Sequence, residues 1–419
     1  METVTLQNGL RICLDPRPHL RSCAVGLFVA CGSRYETPQM LGVSHCIEHM
    51  LFKGTPTYTA RQIAEITDDT GGTLNAYTSK EYTCVYARVL REQVPMIVSL
   101  IADMALHPAL REEDLETEKD VIEEERIGYE DASEDLCMES YYASLWQEDM
   151  LGKNIVGTQA SIRAFSADGI RAHMATFYVP ERTVVAFSGA FDRAQAIALC
   201  EDAFGEMQNT NNPLVYTTPK AFQFVKTVKR PFQQNVLTLG FPACALEDPR
   251  VHAFTYACAV LGGSNSSRLF QRLREELGLV YSADAYHAAF LGAGTACITM
   301  ALAAEKEEAA LRETLRLCRA FPSSITPEEL DRAKMQTRAA VAMSLESPST
   351  SASRIGRNLL LRNEVLEEEE LLQKLQNVTL DEVRDAAAEM LQPDKLSLCV
   401  VGKTHTQKFY KSILNEYRG

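Results

Sequence analysis

The sequence has no apolar run that approaches the roughly 18 residues needed to span a membrane. Its first residues, 1–12, also lack the basic region followed by an apolar segment that marks a secretion signal. We therefore expect a cytoplasmic protein that has no membrane partner.

Positive charge and cysteine pairs are also scarce. The chain has 42 lysines and arginines against 56 aspartates and glutamates, which gives a net charge of −14 and argues against nucleic acid as a partner. Its 12 cysteines show no CxxC spacing, and a chain of 419 residues is too long for a small disulfide scaffold. The negative charge is compatible with attraction of basic polypeptides or simply with solubility, and the cysteines are expected to be reduced core residues.

The most informative stretch that is present is His45-Cys-Ile-Glu-His49. On a helix that Ser44 caps and Gly54 ends, His45, Glu48 and His49 fall within about 100° of one another, so their side chains leave one face. Two histidines four residues apart can chelate Zn²⁺, and a neighbouring carboxylate can act as general base toward a water. The order His-x-x-Glu-His is the inverzincin signature, which favours a metal site over a helix that carries two histidines by chance.

The chain repeats itself at a fixed interval. Ser166, Pro180 and Gly189 recur as Thr379, Pro393 and Gly402, each 213 positions further on. Both copies are typical of a capped helix, a proline break and a buried strand that ends at glycine. The apolar run 24–29 recurs as 236–241 at nearly the same interval, so the sequence predicts duplication of one α/β unit rather than a solenoid.

This duplication predicts an α+β fold of two tandem homologous α/β domains, each a roll with an antiparallel sheet packed with helices. We expect a catalytic zinc-binding domain at 1–207, a polar linker at 208–221 and a homologous domain at 222–419. Applying the interval to the metal motif gives residues that cannot rebuild the site, namely Cys258, Leu261 and Gly262. Only the first domain is expected to hold metal.

An acidic segment downstream offers a third ligand. Glu118 and Glu125 are seven residues apart and would lie on one helix face within about 20°. One could bind zinc while the other orients a histidine. Glu123 and Glu124 would point elsewhere on that helix. From composition alone the segment is more typical of a solvated, charged face than of a ligand.

Taken together, these motifs resemble the pitrilysin and insulinase family of zinc peptidases, in the branch that includes mitochondrial processing peptidase and its bacterial relatives. The resemblance covers essentially the whole chain. It depends on the order and spacing of Leu-x-Asn-Gly at 6–9, the metal motif at 45–49, Gly-Gly-Thr-Leu-Asn-Ala at 71–76, the acidic segment 118–125, and the glycine-rich segment 262–271 that runs on to Tyr281.

The resemblance implies one zinc ion per chain and a set of site residues: the ligands His45, His49 and Glu125, the general base Glu48, and the supporting carboxylate Glu118. One position departs from the family, because Arg126 stands where an apolar residue is common. Whether Glu124 or Glu125 reaches the metal therefore stays open.

The resemblance also implies how a peptide is held. Asn75 and Ala76 would lie on an edge strand that an extended substrate joins through main-chain hydrogen bonds. Arg274 and Tyr281 would grip the substrate carbonyl and stabilise the oxyanion. From the residues alone, an ordinary hairpin, a salt-bridged arginine and a core tyrosine remain open alternatives.

The favoured function is thus a zinc endopeptidase that cleaves short unfolded or extended polypeptides inside a closed chamber. Because one chain carries both the metal motif and the arginine–tyrosine pair, we expect a homodimer whose two sites are each completed by the partner subunit. The alternatives are a non-catalytic structural or assembly subunit of the same fold, and a zinc hydrolase that acts on a small non-peptide molecule.

Overall fold

The computed structural model describes residues 1–418 and divides into two compact units. The first unit comprises Met1–Arg126, Asn154–Val215 and Ala340–Glu370, and the second comprises Ile127–Lys153, Tyr216–Ala339 and Leu371–Gly419. One boundary, at Val215, falls inside the predicted linker. The units otherwise differ from the predicted division at 1–207 and 222–419, because 127–153 and 340–370 each belong to the unit built mainly from the other half of the sequence.

The sheet of the first unit has six strands: β1 (Glu2–Thr5), β2 (Arg11–Pro16), β3 (Ser22–Val29), β4 (Thr73–Thr78), β5 (Thr83–Leu90) and β6 (Thr183–Gly189). Their order across the sheet is β1-β2-β6-β3-β5-β4. Every neighbouring pair is antiparallel except β2 and β6, which are parallel.

The sheet of the second unit has five strands: β7 (Val225–Lys229), β8 (Asn235–Pro242), β9 (Ser282–Phe290), β10 (Ala293–Leu302) and β11 (Ser397–Gly402). Their order is β7-β11-β8-β10-β9, and the only parallel pair among these strands is β7 with β11. Both sheets are therefore mainly antiparallel, as predicted, and each contains one parallel pair.

The helices are α1 (Val43–Leu51), α2 (Ala60–Asp69), α3 (Val94–Leu106), α4 (Glu112–Asp131), α5 (Ser133–Leu145), α6 (Gln159–Ala164), α7 (Ala167–Phe177), α8 (Arg193–Phe204), α9 (Val251–Gly262), α10 (Glu307–Ser324), α11 (Pro327–Leu345), α12 (Pro348–Arg362), α13 (Glu368–Asn377), α14 (Leu380–Met390) and α15 (Gln407–Arg418). Within residues 1–418 none is both long enough and apolar enough to serve as a membrane span.

The two sheets confirm the duplication that the sequence predicts. The order β2-β6-β3-β5-β4 of the first sheet matches β7-β11-β8-β10-β9 of the second, and the parallel pair occupies the same place in both. The repeated apolar runs 24–29 and 236–241 lie in β3 and β8, which hold corresponding places inside their sheets. The α+β fold of two homologous domains is therefore confirmed.

Strand β3 is apolar along most of its length because both faces of its sheet are covered. Val25 and Leu27 point into a core that includes α1, α3 and α8, while Phe28 points to the other face. All 12 cysteines are buried and none forms a disulfide, as expected for reduced core residues.

Helix α12 covers the second face of the first sheet, although it comes from the second half of the sequence. Asp15 on β2 accepts hydrogen bonds from Ser351 at 2.8 Å and Ser188 at 2.7 Å, which ties the helix to the sheet. Gly356 allows close approach, since a Cβ there would lie 2.2 Å from the ring of Phe28.

Helix α5 covers the corresponding face of the second sheet, although it comes from the first half of the sequence. Tyr141 on α5 hydrogen-bonds Thr295 at 2.7 Å, and a Cβ on Gly240 of β8 would meet the Tyr141 hydroxyl at 1.8 Å. Helices α5 and α12 are about one repeat interval apart, so they correspond to each other in the two copies of the repeat. Each of them covers the sheet of the unit that is built mainly from the other half of the sequence.

Candidate metal centre

The metal motif lies on α1, whose apolar side is buried while its polar side is presented to the site. Cys46, Ile47 and Met50 are fully buried in the core. His45, Glu48 and His49 leave from the opposite side, as the helical period predicts. The core contacts therefore set the direction in which the two imidazoles point.

The ends of α1 differ from the sequence-based expectation. Its N-cap is Gly42 in a left-handed conformation with φ of 86°, so Ser44 lies in the first turn and does not cap the helix. The first turn is capped instead by Glu36, whose carboxylate accepts hydrogen bonds from the backbone N–H groups of Gly42 and Ser44. At the other end the helix stops at Leu51, before Gly54.

The candidate third ligand lies on α4, which Leu115 and Ile122 anchor to the core. Both residues are fully buried, and Ile122 lies between Glu118 and Glu125 in the sequence. Positions 115, 118, 122 and 125 share one helical face, so burial of the apolar pair directs the two carboxylates toward α1.

His45, His49 and Glu125 come together at one point. The Nε2 atoms of His45 and His49 each lie 3.5 Å from Oε2 of Glu125, and all three candidate ligand atoms lie within 4.8 Å of one another. In a tetrahedral site with bonds of 2.0–2.2 Å, ligand atoms are about 3.4 Å apart. These three residues therefore fit a zinc ion, and no other group of three or more such side chains does so within residues 1–418.

The structure also places the alternatives to Glu125. Arg126 donates to both carboxylate oxygens of Glu123, at 2.9 and 3.0 Å, so the residue that departs from the family pattern forms an ion pair within α4. Glu124 is not part of the ligand group. Of the neighbouring acids, Glu125 is the one that faces the histidines.

Glu118 supports the site through His49. Its Oε2 lies 3.0 Å from Nδ1 of His49, which places the imidazole proton on Nδ1 and leaves the Nε2 lone pair free to face Glu125. Nδ1 of His45, by contrast, is buried and has no hydrogen-bond partner within residues 1–418.

Lys53 is a further part of this arrangement that the sequence analysis did not single out. Its ammonium group forms an ion pair with Oε1 of Glu118, so the buried carboxylate is held by a cation on one side and by His49 on the other. Lys53 lies beyond the end of α1 at Leu51, so the helical period of the metal motif could not have indicated it.

Electrostatics favour a cation at this point. The contact with His45 lowers the pKa of Glu125, burial opposes that effect, and the charges of His45 and His49 lower it further. Burial raises the pKa of Glu36 to about 7, against the lowering effect of the N–H groups that it accepts. Glu125 is therefore anionic at neutral pH, as a zinc ligand must be.

Glu48 is half-buried beside the ligand group but is not part of it. No hydrogen bond or ion pair engages its carboxylate within residues 1–418, although its charge raises the pKa of the buried Tyr178 hydroxyl after the larger effects of burial and Cys31. An unengaged carboxylate next to the site is what a general base requires.

Asn75 and Ala76 lie on β4, the edge strand of the first sheet. Their strand partners on β5 are Tyr86 and Val85, and within residues 1–418 no strand pairs with the other side of β4. The N–H of Ala76 is bonded to the side chain of Asn75 at 2.8 Å. This edge of β4 is therefore open to an added strand. A peptide that binds there can replace the Asn75 side chain as the acceptor for the N–H of Ala76.

Arg274 and Tyr281 lie in the second unit and are both exposed. Arg274 belongs to a π-helical segment, Phe270–Glu276, a geometry that is frequent at functional sites, and its guanidinium stacks over the ring of Phe270 at 4.8 Å. The Tyr281 side chain is 60% exposed, so the alternative of a core tyrosine is wrong.

The second unit shows why the repeat carries no second metal site. Gly262 corresponds to His49, and a Cβ at that position would lie 2.5 Å from the backbone nitrogen of Ala285. Cys258, which corresponds to His45, is buried against Met390. Close packing of α9 on β9 leaves no room for ligands there.

The sequence matches two known family descriptions in succession. Residues 11–159 match the family described as Insulinase (Peptidase family M16), and residues 164–337 match the one described as Peptidase M16 inactive domain. The first match contains the metal motif and both α4 carboxylates, and the second contains Arg274 and Tyr281.

Similar proteins extend over nearly the whole chain. The uncharacterized zinc protease YmxG of Bacillus subtilis is 36% identical over 393 residues, which cover 93% of this chain and 95% of that protein. A crystal structure of a protease from Helicobacter pylori superposes with a TM-score of 0.89 at 21% identity, covering 96% of this chain and 98% of that one. A chain of Complex III2 from Candida albicans gives 0.86 at 19% identity, with 99% of both chains covered. At these identities the two structures show the shared fold.

Proposed function

Because the chain belongs to the insulinase family of peptidases, family M16, we propose that it is a zinc-dependent endopeptidase that cleaves short unfolded or extended polypeptides inside an enclosed chamber. The observation that carries this proposal is the convergence of His45, His49 and Glu125 beside an open edge strand. Relatives that are named zinc proteases support the same conclusion.

One zinc ion per chain is held by His45, His49 and Glu125 in this proposal. Zinc in such a site supplies a water whose pKa is lowered to about 7 and polarises the carbonyl under attack. Glu118 acts through His49, whose ring it orients, and Lys53 keeps the Glu118 carboxylate in place.

Glu48 is the general base. It takes a proton from the attacking water and then delivers that proton to the leaving amine, so the nitrogen departs as a neutral group. Its unengaged carboxylate suits this role, because a carboxylate that is already paired with a cation is a weaker base.

The substrate binds as an additional strand on β4. Main-chain hydrogen bonds along Asn75 and Ala76 fix the position of the scissile bond while placing little demand on side chains. This mode requires an extended peptide and so favours short or unfolded polypeptides over folded proteins. It also disfavours a small non-peptide substrate, which would gain little from strand addition.

Arg274 and Tyr281 donate to the substrate carbonyl and to the oxyanion that develops from it. Their exposure supports this role, since both side chains are accessible in the second unit. We propose that the pair serves the site of a partner subunit in a homodimer, which gives two equivalent sites.

Replacement of Glu48 by Gln tests this function. We expect Glu48→Gln to bind zinc like the wild type, because the ligands are intact, and to lose turnover of a quenched peptide by about two to four orders of magnitude. Metal content and initial rates measured on the same preparations check both parts. A non-catalytic structural subunit, the alternative, predicts no turnover by the wild type either, and that result would reject the proposal.

A further inference from the structure

The helix that carries the metal motif cannot cap itself. The N-cap of α1 is Gly42 at φ of 86°, and a Cβ at this residue would lie 2.3 Å from the carbonyl oxygen of Val156. The serine, threonine or aspartate that normally caps a helix is therefore excluded from this position. The N–H groups at the start of the helix must find acceptors elsewhere.

Glu36 supplies both acceptors from outside the helix. Its Oε2 accepts the N–H of Gly42 at 2.7 Å and its Oε1 accepts the N–H of Ser44 at 2.8 Å. The residue is only 5% exposed. These two hydrogen bonds and the helix dipole favour the ionised carboxylate and oppose the burial that raises the pKa of Glu36 to about 7.

The loop that carries Glu36 is itself fixed to the hairpin of β4 and β5. The N–H of Arg34 donates to the carbonyl of Lys80 at 2.8 Å, and its guanidinium pairs with Glu81 at 2.7 Å in a buried contact. Gly32 passes so close that a Cβ there would lie 2.6 Å from the carbonyl oxygen of Ser79. Glu36 is thus held at a fixed position relative to the edge strand.

A second contact joins the same two elements. The hydroxyl of Thr78, the last residue of β4, donates to the carbonyl of Ser44 at 3.3 Å. The start of α1 is therefore connected to the edge strand through Glu36 and through Thr78, and His45 follows Ser44 directly in the chain.

We propose that Glu36 is a positioning residue for the metal centre, which sets where α1 presents His45 relative to Glu125 and to strand β4. This inference deepens the proposed function and depends on it, since it assumes that the site binds zinc. Glu36 touches neither the metal nor the substrate, and it acts through the backbone of Gly42 and Ser44.

The physical reason is preorganisation. His45 lies in the first turn of α1, which is the part of a helix that frays when its N–H groups lose their acceptors. His49 lies one turn further on and is also held by Glu118. Loss of the cap therefore loosens one histidine of the ligand set, and zinc must then order it at the expense of affinity.

The test compares two substitutions of Glu36 with a matched control. Glu36→Gln keeps one of the two acceptor oxygens and Glu36→Ala removes both, so we expect zinc affinity to fall roughly tenfold in the first and further in the second. Competition with a chelator gives the dissociation constants. The control is Asp15→Asn, which alters a carboxylate of similar burial that also accepts several hydrogen bonds but faces α12 rather than α1. We expect it to lower stability and leave zinc affinity unchanged.

Hydrogen exchange of the metal-free proteins provides a readout that needs no zinc. The amides of Gly42 and Ser44 should exchange faster in Glu36→Gln than in the wild type, and at the wild-type rate in Asp15→Asn. Wild-type zinc affinity in Glu36→Gln, or an equal loss in Asp15→Asn, would overturn the inference and leave the proposed function standing. A wild-type chain that binds no zinc would remove the proposed function, and the positioning role with it.

Discussion

At the scale of single residues, Glu118 shows how a buried charge is kept at this site. Its carboxylate is almost completely buried, and each of its oxygens has its own partner, His49 for one and Lys53 for the other. An unpaired carboxylate in this position would be costly to bury. The pairing lets Glu118 orient His49 without being a metal ligand itself.

The assignment of Glu125 rather than Glu124 as the third ligand can be tested with two isosteric changes. Glu125→Gln removes the anionic oxygen that faces both histidines. Changes to residues that only support a ligand typically lower metal affinity by about 10- to 100-fold. We therefore expect the loss of this ligand to lower zinc affinity by at least that factor. Glu124→Gln removes the same charge one residue earlier and should leave affinity near the wild-type value. Equal effects of both changes on the measured dissociation constant would contradict the assignment.

His173 gives the first unit a predictable sensitivity to acid. Burial lowers the pKa of His173 to about 4, and its ring packs on Phe177 and lies 3.3 Å from the sulfur of Cys31. His173 binds a proton near pH 6.5 in the unfolded chain but only near pH 4 in the folded chain. The contribution of its neutral ring to the free energy of unfolding is therefore present in full above pH 6.5 and is lost as the pH falls toward 4.

The loss is roughly 2 kcal/mol at pH 5 if the ring stays neutral in the folded state. We expect His173→Gln to have a smaller stability difference between pH 7 and pH 5 than the wild type, when both are unfolded with denaturant at each pH. The exposed His107→Gln serves as the control and should behave like the wild type. A wild-type difference retained in full by His173→Gln would refute this account.

At the scale of elements, α5 and α12 show that a helix can belong to a unit far from it in sequence. Each packs on a sheet through a glycine contact, between Gly356 and Phe28 in one case and between Gly240 and Tyr141 in the other. In both cases an aromatic side chain occupies the space that a Cβ would need. Close approach of helix and sheet is thus built into both copies of the repeat.

The contact at Gly356 reverses the usual effect of replacing a helical glycine. Glycine to alanine inside a helix normally stabilises by up to about 1 kcal/mol. At Gly356 the added methyl group would lie 2.2 Å from the buried ring of Phe28, so we expect Gly356→Ala to destabilise by roughly 1–3 kcal/mol. Gly128 on α4 has open space at its Cβ position, and Gly128→Ala should be neutral or stabilising in the same denaturation experiment.

At the scale of the whole molecule, duplication has produced two similar sheets with different chemistry. The strand order is the same in both, yet the residue that corresponds to His49 is a glycine that a neighbouring backbone approaches closely. One copy has a group that fits zinc and the other has the exposed pair Arg274 and Tyr281. The two copies therefore differ at this site in a few residues and not in the order of their strands.

The proposed homodimer predicts that two inactive chains can restore activity together. Glu48→Gln lacks the base, and Arg274→Ala with Tyr281→Phe lacks the carbonyl-binding pair. After the two proteins are mixed and allowed to exchange subunits, some dimers contain one intact site, so peptide cleavage should reappear. If cleavage stays absent although mixed dimers are present, the sites are not completed across subunits. Mixing two preparations of Glu48→Gln is the control and should restore nothing.

Much of the site was predictable because its residues obey a helical period. His45, Glu48 and His49 leave one face of α1, and Glu118 and Glu125 leave one face of α4, whatever surrounds them. Glu36 and Lys53 were not predicted for two different reasons. Glu36 caps a helix that begins seven residues later, at Val43, through a loop whose shape the sequence does not reveal. Lys53 gains its role only when Glu118 lies beside it.

The sequence by itself determined the metal motif, the repeat interval and the absence of ligands in the second copy, since these depend on residue identity and on spacing along the chain. Only the tertiary structure decided that Glu125 meets the histidines, that Glu36 caps α1 and that α5 and α12 each cover the sheet of the other half. These outcomes depend on packing between segments distant in sequence, and local spacing carries no information about which of two equivalent sheets a helix will cover.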